Sequence, residues 1–259
     1  MVDNDSLDNL KACTIDEVIQ SLDRIIAWSA GKQDRLGYFP ALYRRVTIKV
    51  REGIKEGMFE DGKRMERLDV IFANRYLEAF EQSRNSGTVT NSWKLAFGAT
   101  LKWRPVVLQH LLLGMNAHIQ LDLGIAAAKT VEGHPIMDLR NDFLKINDIL
   151  ISEINQVEDE LGEIWPAMRL LDRLAGKTDE TLTGFVLKIS RNLSWDFAVR
   201  LSGLTEAERG REISDIDNEV AEFGRDILYQ GFGLLSVALL VIKLTEIQSV
   251  SRIIGILNQ

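Results

Sequence analysis

The sequence predicts an all-α protein, a bundle-like domain of roughly eight to ten helices around one central buried helix. Three observations carry this. Apolar residues recur at helical spacing along most of the chain. Two capping boxes, Thr14-Ile15-Asp16-Glu17 and Thr205-Glu206-Ala207-Glu208, mark helix starts. The stretch from Pro105 to Val131, PVVLQHLLLGMNAHIQLDLGIAAAKTV, is apolar on every side, as a helix surrounded by others must be.

In chain order, the first capping box opens an amphipathic run to Trp28, and Gly31 is expected to end it. Pro40 fits a first helical turn, with a helix to about Glu56 and a stop at Gly57. Val46, Ile48 and Val50 alternate as in a strand, but the basic flanks and the surrounding period favour helix. A third helix runs from Lys63 to Gln82. The polar stretch RNSGTVTNS (Arg84 to Ser92) is a loop, and a short helix follows from Trp93. After the central helix, Phe143, Ile146, Leu150, Ile154, Val157 and Leu161 place a helix over Asp138 to Leu161. Pro166 starts a short helix closed by Gly176, and Thr178 caps one ending near Gly203. From Thr205 the chain reads as helix almost to Gln259, broken near Gly231 and Gly233.

No internal repeat, low-complexity tract or linker interrupts the 259 residues, so a single helical domain over residues 1–259 is expected. Hydrophobic residues make up 46% of the chain, enough for a sizeable core. The net charge of −7 and the absence of a Lys/Arg cluster argue against nucleic-acid binding, because an acidic surface repels phosphate backbones. The single cysteine, Cys13, allows no internal disulfide and fits a reducing, cytoplasmic setting. The acidic start MVDNDSLDNLKAC lacks the basic and apolar regions of a signal peptide. Ile227 to Ile242 is apolar, but its 16 residues fall short of the roughly 20 that cross a bilayer. A core helix is the better reading there, and membrane association is not expected.

Polar groups inside the greasiest helix point to chemistry. With His110 as zero, Gly114 lies at about 40°, His118 at about 80° and Asp122 at about 120° on a helical wheel. The three polar groups share one stripe with a side-chain gap at Gly114. Gln109, Asn116 and Gln120 form a second stripe near the opposite side. The four-residue spacing of His118 and Asp122 lets both touch one metal ion, or lets the carboxylate orient the imidazole. His110, about 12 Å along the axis from His118, is too far to join the same ion from a straight helix. On the third helix, Asp69 falls within the apolar face of Met65, Leu68, Phe72, Ala73, Tyr76 and Phe80. A carboxylate there must be paired, hydrogen-bonded or protonated. Asp196 and Arg200, one turn apart, are expected to form an internal ion pair. Trp93, Trp103 and Trp195 are candidates to line a pocket, and His134 sits in a Gly-His-Pro loop. No zincin, cysteine-pair, nucleophile-elbow or Walker signature is present, and the glycines from Gly224 to Gly233 follow no strand.

Three segments carry a resemblance when taken together. They are Tyr38 to Thr47 (YFPALYRRVT), Leu68 to Tyr76 (LDVIFANRY) and His110 to Asp122 (HLLLGMNAHIQLD), with the Asn-Ala-His-Ile core the most specific part. In this order they resemble the uncharacterised bacterial domain-of-unknown-function family 5995, over roughly residues 35 to 205. The resemblance implies a mainly helical domain and no established activity. It also implies that Tyr43, Thr47, Asp69, Tyr76, His110, Asn116, His118 and Asp122 form one constellation. Gln120 stands where asparagine is expected.

The reading that follows is a buried polar pocket. For an enzyme, metal-assisted hydrolysis is the first class. Asp69, His118 and Asp122 would hold a divalent metal, iron or manganese as readily as zinc. His110 would be the catalytic acid or base, and Tyr76 and Asn116 would contact the ligand. The alternative is a non-enzymatic helical binding or interaction module. There the same residues form a buried network that fixes helix register, and the carboxyl-terminal helices offer a dimer interface. A small-molecule binder using the tryptophans and the amide stripe is the third reading.

Overall fold

The computed structural model describes residues 7–146, 149, 150, 153, 164, 182–229 and 234–259, with the backbone alone for 182–190 and 234–238. Among these residues the chain is all-α, a bundle with no strand. Nine helices are numbered here: α1 Ile15–Lys32, α2 Tyr38–Lys55, α3 Gly62–Arg84, α4 Asn91–Thr100, α5 Val107–Thr130, α6 Leu182–Ser202, α7 Glu206–Tyr229, α8 Leu234–Thr245 and α9 Val250–Leu257. Residues 140–146 are helical as well. The helices expected from Pro166 to Gly176, and the cap at Thr178, lie outside the described residues.

The local signals act largely as anticipated. Thr14 accepts the backbone N–H of Glu17 and starts α1. Asp61 accepts that of Arg64 and starts α3. Pro40 sits in the first turn of α2, and Gly57 follows that helix with φ +70. Residues 46–50 are helical, as their flanks suggested. Two details differ. The helix α1 runs past Gly31 and closes at Gln33, which takes the left-handed conformation (φ 54) usually left to glycine. At the second box, the Thr205 hydroxyl donates to Glu208 (2.6 Å), as does the Thr205 N–H (2.9 Å).

The central helix α5 is long and apolar enough to cross a membrane, but 78% of its most apolar window is buried inside the protein. It is therefore the core around which the others pack. It contacts α2, α3, α4, α6 and α7. The gap at Gly114 is filled by Phe39, because a Cβ there would come within 2.5 Å of that ring. Gly124 likewise admits Phe197 from α6. The apolar run from Ile227 to Ile242 is shared between the end of α7 and the start of α8, and Leu240, Val241 and Leu244 of α8 are exposed.

Several helix starts receive acids from far along the chain. Glu246 accepts the N–H of Val107 at the start of α5 (2.7 Å) and pairs with buried Lys243 (2.7 Å). Asp217 of α7 accepts the N–H groups of Asn91 (2.6 Å) and Ser92 (2.9 Å) at the start of α4. Asp142 accepts those of Glu60 (2.7 Å) and Asp61 (3.1 Å) just before α3 and also binds Arg64. A carboxylate at a helix amino terminus satisfies free N–H groups and meets the positive end of the dipole. Replacing Glu246 by alanine uncaps α5 and leaves Lys243 buried without this partner. We expect a loss of about 3 kcal/mol in urea unfolding, with Glu246→Gln losing less than half of that.

Candidate functional site

The site is built around an irregularity in α5. From Asn116 to Asp122 the helix widens into a π-helical segment, and the N–H of Leu123 bonds the carbonyl of His118 five residues back. Such segments are rare and cluster at functional positions. This one carries Asn116, His118, Gln120 and Asp122, so the regular 100° wheel does not hold across it.

Asp122 is fully buried, and each of its oxygens has partners. Oδ1 accepts Nε of Arg75 from α3 at 2.6 Å. Oδ2 accepts the indole N–H of Trp93 from α4 at 2.8 Å and faces Nδ1 of His118 at 3.3 Å. Burial alone would raise the pKa of this carboxyl. Arg75, His118 and Trp93 reverse that and hold it below the ordinary value. The Asp122–His118 relation is thus the orienting one of the two that the spacing allowed. With its proton on Nδ1, His118 keeps Nε2 as an acceptor, and that atom has no hydrogen-bond partner among the described residues.

The His118 ring lies flat on Phe72, with centroids 3.6 Å apart and planes within 8°. Tyr43 meets it edge-on at 4.6 Å, and Phe39, Tyr76 and Trp93 close the surroundings at 5.6, 6.2 and 6.0 Å. Burial in this aromatic cage lowers the imidazole pKa, against the pull of Asp122. The ring is therefore neutral near pH 7.

His118 lines a cavity of about 70 Å³ between α2, α3, α5 and the residues Ile146, Leu150, Glu153 and Arg191. Tyr43 and Asp69 line it too, so the acid of α3 and the imidazole of α5 do share one interior space. Among the described residues, Oδ2 of Asp69 is buried without a hydrogen-bond partner, and so are the hydroxyls of Tyr43 and Tyr76. Neither His118 nor an arginine among the described residues forms a hydrogen bond or ion pair with Asp69. Burial, with a smaller push from Glu66, raises its pKa to about 7. Burial and the charge of Asp69 push the Tyr43 phenol well above its usual value. The rest of the cavity wall is largely apolar. Arg191 donates to the carbonyl of Phe143 (2.6 Å) and Glu153 pairs with Arg45 (3.2 Å).

Other anticipated residues lie elsewhere. His110 is buried against Tyr38, with ring centroids 5.8 Å apart, and does not line the cavity. Burial, with Lys243 and Arg35 adding to it, depresses its pKa to about 3. Asn116 faces α7, donating to the carbonyl of Val220 (2.8 Å) and accepting from Gln120 (2.7 Å). Gln109 reaches the carbonyl of Ile227 on the same helix (2.8 Å). The amide stripe therefore ties α5 to α7. Thr47 donates to the carbonyl of Tyr43. The Asp196–Arg200 pair does not form: Asp196 is exposed, and Arg200 binds Glu212 at 2.8 Å. Trp103 is exposed and Trp195 packs on Phe143. Among the described residues no group of three His, Cys, Asp or Glu side chains is placed to hold a metal ion. Sequence reasoning gave no role to Arg75. The demand of a buried Asp122 for a cation was the available signal.

The raised pKa of Asp69 fixes the sign of a pH effect. The folded protein holds this proton up to about pH 7, whereas the unfolded chain releases it near pH 4. The unfolded state therefore binds fewer protons across that window, and this group makes stability fall as pH rises through it. Asp69→Asn removes the effect. Its stability relative to the parent protein should increase between pH 4.5 and pH 8 by about 3 kcal/mol, read from urea unfolding at both pH values.

The comparisons with known proteins agree with the segments that carried the resemblance and extend its range. The family described as a family of unknown function (DUF5995) matches residues 15–230. No curated protein and no solved structure gives a significant match.

Proposed function

The chain belongs to the DUF5995 family of unknown function, and from its geometry we propose that it is a non-enzymatic helical binding module. In it the buried polar residues of α5 fix the register of the bundle. The observation that supports this reading is the complete satisfaction of Asp122. Its oxygens join α3 through Arg75, α4 through Trp93 and the preceding turn of α5 through His118. A one-residue slip of any of these helices breaks the set. On the opposite side, Asn116 and Gln109 do the same toward α7.

The metal-dependent hydrolase is the less favoured reading. It asks Asp69, His118 and Asp122 to share an ion, but Asp122 already uses both oxygens, and His118 uses Nδ1 on Asp122. It also asks His110 to act at a cavity that His110 does not line. A cytoplasmic location and pairing of two copies through the carboxyl-terminal helices remain part of the proposal. The exposed Leu240, Val241 and Leu244 of α8 are the residues on which such pairing would rest.

A double-mutant cycle tests the register role. Asp122→Asn should cost about 3 kcal/mol, near the low end for breaking a buried ion pair because Arg75 is 28% exposed. Trp93→Phe should cost about 1–2 kcal/mol. The double variant should cost clearly less than the sum, because both remove one hydrogen bond. Additive losses, or an Asp122→Asn protein as stable as the parent, would remove the network from its proposed role. Stoichiometric metal in the purified protein, lost in His118→Ala and Asp69→Ala variants that stay folded, would restore the hydrolase.

A further inference from the structure

The register network explains Asp122 but leaves its neighbours unexplained. Asp69, His118 and Tyr43 are 7%, 2% and 5% exposed, all three line the same small interior space, and each has a buried polar atom without a hydrogen-bond partner among the described residues. Leaving such groups buried and unpaired is destabilising. A stable core does not need three of them together, and an apolar residue at any of these positions would avoid the penalty.

The chemistry of the three atoms is one-sided. His118 donates Nδ1–H to Asp122, so its free Nε2 accepts. Asp69 as a carboxylate accepts. The Tyr43 oxygen can accept as well as donate. A ligand matching them must bring several N–H or O–H donors from one atom. Among the described residues, the charge that acts on Asp69 is that of Glu66, so the field at this end of the space favours positive charge. Phe39, Tyr43 and Phe72 line the space as well, and an aromatic face attracts a cation. The charged groups at the far side, Arg191 and Glu153, have partners of their own. The remaining wall, with Val46, Val50, Leu68, Ile119, Leu123 and Ile146, is hydrocarbon. Among the described lining residues a bare metal ion would find Asp69 and His118, with Glu153 already paired to Arg45, and it would waste that apolar surface.

We propose that this cavity binds a small primary alkylammonium ion, its –NH₃⁺ group held by Asp69, Nε2 of His118 and the Tyr43 hydroxyl, and its chain lying along the apolar wall. The space of about 70 Å³ admits roughly five to seven water-sized groups, which corresponds to a short, unbranched amine. This assignment rests on the reading of the chain as a binding module and names the ligand class for it. The two fail separately: the register network is judged by the unfolding cycle at Asp122 and Trp93, the ligand by binding alone.

The test is calorimetric titration of the full chain at pH 7.5 with n-hexylammonium, n-hexanol and hexanoate. Hexylammonium should bind at least tenfold more tightly than hexanol, and hexanoate should not bind. Asp69→Asn should lose at least tenfold in hexylammonium affinity while binding hexanol as before. That retained binding shows that the cavity is intact in the variant. Val46→Phe, which narrows the apolar end, should weaken hexylammonium and hexanol together. Equal affinities for hexylammonium and hexanol, no binding of hexylammonium, or Asp69→Asn indistinguishable from the parent would each overturn the assignment.

Discussion

A carboxylate without any solvent exposure, in the middle of the most apolar helix, is the constraint on which the interior depends. Asp122 cannot remain ionised there unless other groups surround it, since an isolated buried charge is far too costly. The fold brings Arg75 from α3 and Trp93 from α4 to it and turns His118 toward it. Once these bonds are made, the angular setting of three helices is fixed. The orientation of the His118 ring follows, and with it the direction of the nitrogen left over.

The aromatic cage belongs to the same arrangement. Phe72 lies against the imidazole, and Tyr43, Phe39, Tyr76 and Trp93 surround it. Dry surroundings keep the ring neutral, and a neutral ring with its proton directed to Asp122 keeps a lone pair on Nε2. The polar interior therefore has two faces of different character. Toward α7 and α4 the groups are saturated and structural. Around the cavity, Asp69, Tyr43 and Nε2 of His118 keep polar atoms without a partner among the described residues. Gly114 contributes by absence, because Phe39 occupies the volume that a side chain would have filled.

Much of this was legible in the residues. Helical period, the Thr14 box and the breadth of apolar surface around Pro105–Val131 were sufficient for the fold class. The four-residue spacing of His118 and Asp122 and the single acid in the apolar face of α3 marked both sides of the cavity. What failed to show had physical causes. A wheel that assumes regular turning has no means of seeing the π segment at Asn116–Asp122. The partners of Asp122 come from other helices, and only tertiary packing selects Arg75 among the arginines. Spacing put Asp196 and Arg200 within reach of each other, but it is silent on which face a helix buries, and Glu212 was the nearer match for Arg200. Gln33 in place of Gly31 reflects how weakly a glycine marks the end of a helix when a later residue can adopt the left-handed conformation.

The carboxylates that close helix starts have a consequence for how the chain matures during synthesis. The first turn of α5 is completed by a residue 139 positions further on, and that of α4 by one about 125 positions on. A polypeptide still emerging from the ribosome has made both helices long before it has made their caps. Their leading N–H groups face water until the last quarter of the protein folds back over them. A chain interrupted before Glu246 would keep the Gln109 cap on Val106 but leave the N–H of Val107 without its carboxylate.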